Sequence, residues 1–321
     1  MKAAVYYKYG PPEVVQLMEI ARPVAKEDEV LVKVIASTVN RTDAGFRSAE
    51  YFISRFWTGL LKPVHHVLGC EFAGIVEETG RQVTAFQSGD KVFGFNDKTC
   101  GGHGEYLVMA AKGAITSIPG NLNFYEAAAL TEGAHYALCD IRAARVTSGQ
   151  QVMVYGATGA IGSAAVQLLK SMGVHVTAVC NTRNVALIKS LGADLVLDYE
   201  TEDFTKTGQQ FDFILDAVGK SSFRQCKKLL KQKGIYISTE LGRHSANVFL
   251  SLTTPYMGGK KVLFPIPSIN KQDVEYLGEL ARNGRFKPVI DRYYSLDEIV
   301  KAYHYVATGQ KTGNVIIKIA D

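Results

Sequence analysis

A short glycine-rich segment is the strongest chemical signal in the chain. The apolar run at residues 151–155 (QVMVY) is followed directly by GATGAIG at residues 156–162, where a helical pattern begins. Glycines at this spacing permit a tight turn, let a ligand approach the backbone, and let the helix pack closely on the strand. The N-terminus of that helix then presents N–H groups to negative charge. The segment therefore predicts a loop that binds the phosphates of a dinucleotide.

The segment after the next strand predicts which dinucleotide is bound. Enzymes that use NAD usually place an Asp or Glu here to accept hydrogen bonds from the ribose hydroxyls. In this chain the strand ends at Cys180 and continues as Asn181-Thr182-Arg183, without a carboxylate. The guanidinium of Arg183 and the hydroxyl of Thr182 suit a 2′-phosphate. NADPH is therefore predicted over NADH, and a solvated arginine at a helix start is the alternative.

Two regions of different periodicity surround these segments. Up to about residue 120 the chain carries alternating, β-rich runs separated by glycine, which favour a compact β-barrel or sandwich. From there to about residue 260, short buried strands alternate with helices, a pattern typical of βαβ units on a parallel sheet. The main predicted strands are 29–36, 72–78, 91–95, 105–109, 151–155, 174–180, 195–197, 211–217, 234–239 and 315–319. The predicted helices are 124–143, 160–172, 185–191, 223–230, 272–283 and 296–307.

The composition excludes several classes of protein. With 321 residues, 47% of them hydrophobic, and a net charge of +5, the chain suits a globular protein of two domains. The densest basic run, at residues 227–233, is predicted to be a solvated helix face, so we expect no nucleic-acid partner. The five cysteines are scattered and form neither a disulfide framework nor a CxxC motif. There is also no apolar run of about 18 residues. We therefore expect a cytoplasmic protein outside the membrane.

Motifs along nearly the whole chain resemble the medium-chain dehydrogenase/reductase superfamily, and within it the zinc-free quinone oxidoreductase-like (zeta-crystallin-like) members. The segments that carry the resemblance are MKAAVYYKYGPPEVV, VNRTDAGFR, VLGCEFAGIV, SGDKVFGF, GGHGEYLV, VYGATGAIGSAAVQLLK, SLGADLVLDY and FKPVIDRYYSLDEIVKAYHYVATGQKTGNVIIKI. The resemblance implies an α/β protein with a GroES-like β-barrel catalytic domain formed by residues 1–120 and 261–321. A Rossmann domain with a doubly wound parallel sheet would occupy residues 121–260. The resemblance also implies a homodimer joined along the Rossmann sheets.

The resemblance also bears on metal binding. Zinc-dependent relatives hold the catalytic ion with a Cys, a His and a second Cys. The corresponding positions here are Asn40, Cys70 and the region of Leu130 and Thr131, which together offer one thiol. One thiol does not make a tetrahedral site, and the four-cysteine lobe of those relatives is missing as well, so we expect no zinc. An unorthodox site is the alternative, and its ligands would be Cys70, Glu71 and either His135 or Asp43.

Without zinc, the chain must stabilise developing negative charge by hydrogen bonds. Hydride delivery to a quinone or an α,β-unsaturated carbonyl is then favoured over alcohol oxidation, because the charge spreads onto a distant oxygen. The family places an Asn in the VN segment and often a Tyr shortly after it, which makes Asn40 and Tyr51 the catalytic candidates. Aromatic neighbours of Tyr51 suit stacking on a flat acceptor, with packing inside the loop as the alternative. These neighbours are Phe46, Phe52, Phe56 and Trp57.

Further cofactor contacts are implied by the same resemblance. Thr131 is placed beside the nicotinamide, and Tyr199 is placed beside the adenosine phosphate. Asn314 matches the C-terminal cofactor contact, where many quinone reductases have Lys. The residues expected to close over the nicotinamide end are Leu241, Gly242 and Phe264. The residues expected under the diphosphate are Gly156, Ala157, Thr158, Gly159, Ala160, Ile161 and Gly162.

These features predict an NADPH-dependent, zinc-independent oxidoreductase that transfers a hydride to a quinone or an α,β-unsaturated carbonyl. One alternative is an enoyl-thioester reductase, which would need a larger pocket and a basic patch for the carrier. The other is an NADPH-binding sensor or RNA-associated protein without turnover, because the sequence shows no obligatory acid or nucleophile. Steady-state turnover separates this last alternative from the two enzymes.

Overall fold

A computed structural model describes residues 1–320, apart from the side chains of Ile53 and Trp57. Two compact units are present: the first contains Met1–Glu132 and the chain from Ile269 onward, and the second contains Gly133–Ser268. The strands are β1 (Lys2–Val5), β2 (Gln16–Glu19), β3 (Glu29–Val39), β4 (Glu71–Thr79), β5 (Lys91–Phe95), β6 (Tyr106–Ala110), β7 (Ile115–Ser117), β8 (Gln151–Tyr155), β9 (His175–Cys180), β10 (Leu195–Asp198), β11 (Phe211–Asp216), β12 (Leu230–Ser238), β13 (Lys261–Leu263), β14 (Ile290–Ser295) and β15 (Asn314–Lys318). The α-helices are α1 (Arg41–Ser48), α2 (Arg55–Thr58), α3 (Phe124–Ala128), α4 (Glu132–Ala143), α5 (Ala160–Ser171), α6 (Val185–Ser190), α7 (Phe223–Cys226), α8 (Ala246–Thr253), α9 (Lys271–Arg282) and α10 (Ile299–Ala307). Within residues 1–320, no helix combines the length and hydrophobicity that a membrane crossing requires.

The first unit is built on a mostly antiparallel sheet. Its strand order is β14-β15-β3-β4-β5-β7, and β6 also pairs with β3. The central strand β3 is buried along almost its whole length, which accounts for its run of Val and Ile. The register between β3 and β4 places Ser37 opposite Phe72. Thr38 at the end of β3 is therefore brought to Glu71 at the start of β4.

Helix α10 packs on the apolar core of the first unit. Ile299, Ala302, Tyr303 and Val306 recur at helical spacing and are all buried. They form one cluster with residues from the N-terminal segment, from β3 and from β15. The last strand, β15, pairs antiparallel with β3. The C-terminal segment thus completes a unit that the N-terminal strands begin.

The second unit contains a six-stranded sheet in which all neighbouring strands are parallel. Its order is β10-β9-β8-β11-β12-β13, so the direction of winding reverses between β8 and β11. Strands with helices on both faces read as nearly continuous apolar runs, as β8 and β11 do. The predicted doubly wound parallel sheet is therefore confirmed.

The helix predicted over residues 124–143 is wrong in one respect, because it is interrupted. α3 ends at Ala128 and α4 begins at Glu132. The backbone N–H groups of Thr131 and Glu132 donate to the carboxylate of Glu71 on β4. A side chain from a distant strand thus sets the start of α4, and helical periodicity within residues 124–143 contains no sign of it.

The basic run at residues 227–233 is not the helix face that its spacing predicts. α7 ends at Cys226, a single 3-10 turn covers Lys227–Leu229, and β12 begins at Leu230. Leu230 lies opposite Phe211 of β11, and Lys231 forms an ion pair with Asp212 at 2.8 Å. Strand pairing with β11 therefore decides the conformation here, and lysine spacing does not encode that pairing.

Candidate functional site

The predicted phosphate loop lies at the carboxyl end of β8, in the second unit. Gly156 has a φ of 77°, and a Cβ there would lie 2.5 Å from the side chain of Val218. A Cβ on Gly162 would lie 2.2 Å from the carbonyl oxygen of Gly156, so only glycine permits this contact between helix and strand. At Gly159 a Cβ would meet that carbonyl oxygen alone, at 3.9 Å. The outer two glycines shape the turn, whereas Gly159 leaves open space at the N-terminus of α5.

The other residues of the second unit that were assigned to the cofactor also follow carboxyl ends of strands. Because the strands are parallel, these ends meet at one edge of the sheet. Ligands of open α/β sheets bind at this edge, near the point where the strand order reverses. The structure therefore brings the assigned residues to the expected edge. They are Thr182 and Arg183 after β9, Tyr199 after β10, Leu241 and Gly242 after β12, and Phe264 after β13.

The surroundings of Thr182 differ from the prediction that no carboxylate lies here. The N–H of Thr182 donates to Glu200 at 3.0 Å, and its hydroxyl donates to Asp198 at 2.6 Å. Asp198 is the last residue of β10, which pairs with β9, and Glu200 follows in the turn after that strand. Arg183 is exposed in the same region; partial burial raises the pKa of Tyr199, and the charge of Arg183 partly offsets this effect. The site therefore combines one guanidinium with two carboxylates.

Asn40 lies in the first unit, at the junction of β3 and α1. Its side chain is 3% exposed, and its oxygen accepts a hydrogen bond from the N–H of Asp43 at 2.9 Å. The carboxylate of Asp43 accepts from the N–H of Asn40, which completes a capping box at the start of α1. The amide nitrogen of Asn40 donates to the hydroxyl of Thr38 at 3.3 Å. The orientation of the Asn40 amide is therefore fixed from both ends.

The aromatic residues near Tyr51 do not share one environment. Tyr51 is half-buried in the turn after α1, and Phe46 packs against the apolar core of the first unit. Phe52 and Phe56 are exposed and meet edge to face, with ring centroids 6.0 Å apart. The side chain of Trp57 lies outside the described residues. The described rings are thus divided between the core and the surface.

A buried carboxylate links the surroundings of Asn40 to Thr131. Glu71 is fully buried and accepts four hydrogen bonds. One oxygen accepts from the N–H and the hydroxyl of Thr131, at 2.9 and 2.8 Å, and from the N–H of Glu132 at 2.5 Å. The other oxygen accepts from the hydroxyl of Thr38 at 2.7 Å. Since Thr38 also accepts from Asn40, two residues that were assigned separately share one network centred on Glu71.

Glu132 is a second buried acid of this network and was not among the predicted site residues. Its side chain is 5% exposed; Oε1 accepts from the hydroxyl of Thr42 at 2.9 Å, and Oε2 has no partner among the described residues. Burial, together with the charges of Glu71 and Asp43, holds the pKa of Glu132 well above its usual range. The available signal was an acid directly after Thr131, which helical periodicity assigned to an ordinary helix.

Asn314 is held by the backbone of its own unit. It is the first residue of β15 and is buried; its N–H and its side-chain amide both donate to the carbonyl of Val289, at 2.8 and 3.0 Å. Gly313 before it has a φ of 73°, and a Cβ there would lie 2.2 Å from the same carbonyl. The side chain of Asn314 thus stabilises the connection between β14 and β15.

The alternative metal site is not assembled. The Sγ of Cys70 lies 3.5 Å from the Sγ of Cys100, and the N–H of Cys70 donates to the carboxylate of Asp43. Glu71 directs its carboxylate to the donors named above rather than to Cys70. Across the part of the chain that the structure describes, no three His, Cys, Asp or Glu side chains are grouped as metal ligands. The residues at this position therefore do not fit a tetrahedral zinc ion.

Comparison with known proteins gives likenesses over nearly the whole chain. The model of the alcohol dehydrogenase GroES-like domain matches residues 26–131, and the model of the zinc-binding dehydrogenase family matches residues 191–317. The chain is 32% identical to 2-methylene-furan-3-one reductase of Solanum lycopersicum, over 99% of this chain and 79% of that protein. It is 33% identical to the trans-enoyl reductase pgmF of Aspergillus terreus, over 91% of this chain and 86% of that protein. The solved quinone oxidoreductase from Coxiella burnetii superposes with a TM-score of 0.88 and 28% identity, over 100% of this chain and 99% of that one.

The fold of the two units agrees with the families that the chain matches. The GroES-like match lies in the unit with the antiparallel sheet, and the glycine turn lies in the unit with the parallel sheet. The predicted combination of a GroES-like domain with a Rossmann sheet is therefore confirmed. The chain belongs to the medium-chain dehydrogenase/reductase superfamily, among its quinone oxidoreductase-like members.

Proposed function

We propose that this chain is an NADPH-dependent oxidoreductase that transfers a hydride, without zinc, to a quinone or an α,β-unsaturated carbonyl. The observation that carries the proposal is the turn after β8, where Gly156 and Gly162 leave no room for a Cβ and Gly159 leaves room for a ligand. The N-terminus of α5 offers its N–H groups to a diphosphate at this point. When bound, the cofactor supplies the hydride. The relatives are named as a methylene-furanone reductase, a trans-enoyl reductase and a quinone oxidoreductase. These names support a conjugated acceptor for this chain.

The contribution of the protein would be to orient the reactants and to stabilise charge. Thr131 suits a position beside the nicotinamide, since Glu71 fixes both its N–H and its hydroxyl. Asn40 suits the carbonyl end of the acceptor, because its capping box fixes the amide. Tyr51 remains a second candidate on the turn that follows α1. A preorganised donor stabilises an oxyanion without having to reorganise during the reaction.

The preference for NADPH over NADH rests on a balance of charges. Arg183 offers a planar guanidinium that suits the 2′-phosphate, and the exposed ring of Tyr199 is near it. Asp198 and Glu200 both accept hydrogen bonds from Thr182, next to Arg183. Their negative charges oppose the binding of a phosphate there. We therefore propose a preference for NADPH that leaves NADH usable.

Reduction of an enoyl thioester is the second candidate function. The likeness to a trans-enoyl reductase favours it. When the acceptor is an enone or an enoyl thioester, the hydride reaches the β-carbon of an unsaturated carbonyl compound in both reactions. The same residues would therefore serve either acceptor, and the size of the acceptor distinguishes the two.

The test is turnover by purified protein whose zinc content has been measured. NADPH oxidation is followed with one quinone, one enone and one enoyl thioester, with NADH in parallel and with chelator-treated protein as the control. Turnover of a quinone or enone that survives chelation is the expected result. Turnover of the thioester alone would favour the second candidate. Binding of NADPH with no turnover would favour a sensor, and loss of activity on chelation would contradict zinc independence.

We also propose a homodimer joined at β13. This strand is one of the two outermost strands of the parallel sheet, α8 packs against it, and an apolar surface lies close by. The exposed apolar residues there are Phe249, Leu252, Tyr256 and Met257. Light scattering of the wild type should give twice the mass of one chain, and Tyr256→Glu should weaken association; a monomeric wild type would overturn the dimer.

A cytoplasmic location is proposed because five thiols suit a reducing compartment, and cell fractionation tests it.

A further inference from the structure

Two of the cysteines lie side by side in the first unit. The Sγ atoms of Cys70 and Cys100 are 3.5 Å apart, and both side chains are buried in one apolar cluster. The other three belong to the second unit: Cys180 and Cys226 are buried, and Cys139 is half-buried. The sulfurs of a disulfide are about 2.05 Å apart, so Cys70 and Cys100 are separated from a bond by about 1.4 Å. This pair therefore already has the proximity that a disulfide requires.

The backbone holds the two cysteines next to each other. Cys70 directly precedes β4, and Cys100 lies in the turn between β5 and β6. The N–H of Asn96 donates to the carbonyl of Cys70 at 2.7 Å, and the N–H of Cys100 donates to the carbonyl of Asn96 at 3.1 Å. The N–H of Gly102 also donates to the carbonyl of Gly69, at 2.9 Å. Because both segments are fixed, rotation about the Cα–Cβ bond of each cysteine closes the gap without separating them.

The two thiols are not equivalent. Cys70 is fully buried, and its hydrogen bond with Cys100, together with burial, raises the pKa of the Cys70 thiol well above its usual range. Cys100 is 6% exposed and directly follows the exposed residues 97–99. An oxidant that arrives from solvent therefore meets Cys100 first. Since the thiolate is the form that attacks an oxidant, Cys70 is suited to the second step of an oxidation rather than to the first.

We propose that hydrogen peroxide converts Cys70 and Cys100 into a disulfide and that a thiol reductant restores the two thiols. In the first step the Sγ of Cys100 attacks the peroxide, the O–O bond breaks, one water leaves, and Cys100 becomes a sulfenic acid. In the second step the Sγ of Cys70 displaces the hydroxyl from that sulfur, and the hydroxyl leaves as water with the proton of the Cys70 thiol.

The two steps balance. The pair loses two electrons and two protons, and the peroxide takes up both and becomes two molecules of water. A thiol reductant reverses the change by attack on the disulfide, so in a reducing compartment the bond is transient. The site needs neither a dinucleotide nor a hydride acceptor, and the inference therefore stands apart from the proposed reductase activity.

The experiment treats the reduced 321-residue chain with hydrogen peroxide and locates the oxidised thiols by mass spectrometry. Trypsin releases Cys70 within residues 56–81 and Cys100 within residues 99–112, so the bond between them appears as one linked pair of peptides. A thiol reductant should separate that pair. Alkylation of the oxidised, denatured chain should find two thiols fewer than the five of the reduced chain. Cys139 is the most exposed thiol, so oxidation that followed exposure alone would begin there instead.

Single substitutions separate the two steps. Cys70→Ser should form no disulfide and should accumulate a sulfenic acid at Cys100, which dimedone labels, whereas Cys100→Ser should form neither product. Cys226→Ser is the matched control, because Cys226 is as fully buried as Cys70 and its Sγ donates to the hydroxyl of Ser221 at 3.6 Å. This control should form the disulfide between Cys70 and Cys100 as readily as the wild type does.

Three results would overturn the inference: a wild type that keeps all its thiols in excess peroxide, a disulfide that joins any other pair, or oxidation that begins at Cys139. A sulfenic acid at Cys70 in Cys100→Ser would contradict the proposed order of the steps. If Cys70→Ser does not fold, the linked peptides of the wild type decide, since they require no substitution. None of these results bears on turnover with NADPH, which tests the proposed function separately.

Discussion

The glycines of the turn after β8 allow the requirements of the fold and of the ligand to be separated residue by residue. Gly159→Ala adds a Cβ that meets one atom at 3.9 Å, so its free energy of unfolding should fall by no more than about 1 kcal/mol. The same Cβ enters the space where a diphosphate would bind, and the Kd for NADPH should rise about 10-fold, which corresponds to about 1.4 kcal/mol. Calorimetric titration and urea unfolding measure the two effects.

Gly162→Ala is the matched control for that variant. Its Cβ would lie 2.2 Å from the Gly156 carbonyl, so the strand and the helix must separate. We expect the free energy of unfolding to fall by about 1–3 kcal/mol, the usual cost of overpacking. A Gly159→Ala variant that binds NADPH as tightly as the wild type would contradict the assignment of this turn to the diphosphate.

Charge at the ends of β9 and β10 should set the choice of cofactor. Arg183→Ala should raise the KM for NADPH about 10-fold, because a hydrogen bond between charged groups contributes about 1.5–3 kcal/mol. The KM for NADH should stay nearly unchanged. Glu200→Gln should act in the opposite direction and lower the KM for NADPH by a factor of about 3, since exposed charges contribute about 0.2–1 kcal/mol. Steady-state kinetics with both cofactors measure this pair, and equal effects of R183A on NADPH and NADH would contradict it.

At the scale of elements, the start of α4 depends on one side chain from β4. Glu71→Gln replaces an acceptor oxygen by an amide that cannot satisfy the donors of Thr131, Glu132 and Thr38. The free energy of unfolding should fall by about 3 kcal/mol, the scale for a broken buried charged contact. Asn123→Ala, which removes the exposed cap of α3, should lower it by about 1 kcal/mol.

Urea unfolding of the two variants measures the difference. If Glu71→Gln and Asn123→Ala lower the free energy of unfolding equally, Glu71 does not anchor α4. Hydrogen exchange at the N–H groups of Thr131 and Glu132 gives an independent readout, because these donate directly to Glu71. Exchange there should rise in Glu71→Gln and should stay unchanged in Asn123→Ala.

Periodicity predicts an element well when contacts near in sequence decide it. β5 and β8 have the predicted bounds, because each is a short apolar run between turn residues. The break before α4 and the strand at Lys231 were missed, because partners on β4 and β11 decide them. α8 was missed as well, although five of its eight residues are apolar.

The same distinction applies to the candidate site. The turn at Gly156 was predictable because strand, glycines and helix are consecutive. The acids around Thr182 and the pair of Glu71 and Glu132 were not, because they meet through strand register and through the start of α4. The residue type of an acid does not indicate whether it is buried or exposed to solvent, so only the folded structure distinguishes the two cases.

At the scale of the whole molecule, buried acids should make stability depend on pH. Asp140 of α4 is 5% exposed, its Oδ2 has no partner among the described residues, and burial raises its pKa to about 8. The unfolded chain has its aspartates near about 3.9. Between these values the folded state holds a proton that the unfolded state releases, so stability present below about pH 4 is lost as pH rises towards 8. The loss is about 1.4 kcal/mol per pH unit for one such group.

Asp140→Asn removes this proton and keeps the shape of the side chain. The free energy of unfolding from urea titrations at pH 5, 6 and 7 should therefore fall less steeply in the variant, by about 1.4 kcal/mol per pH unit. Some slope should remain, because the pKa values of Asp43, Glu71 and Glu132 are also raised, chiefly by burial. The exposed Asp28→Asn should keep the wild-type slope. A wild-type slope in Asp140→Asn would mean that Asp140 is charged in the folded protein, and a hidden donor to its Oδ2 would then have to exist.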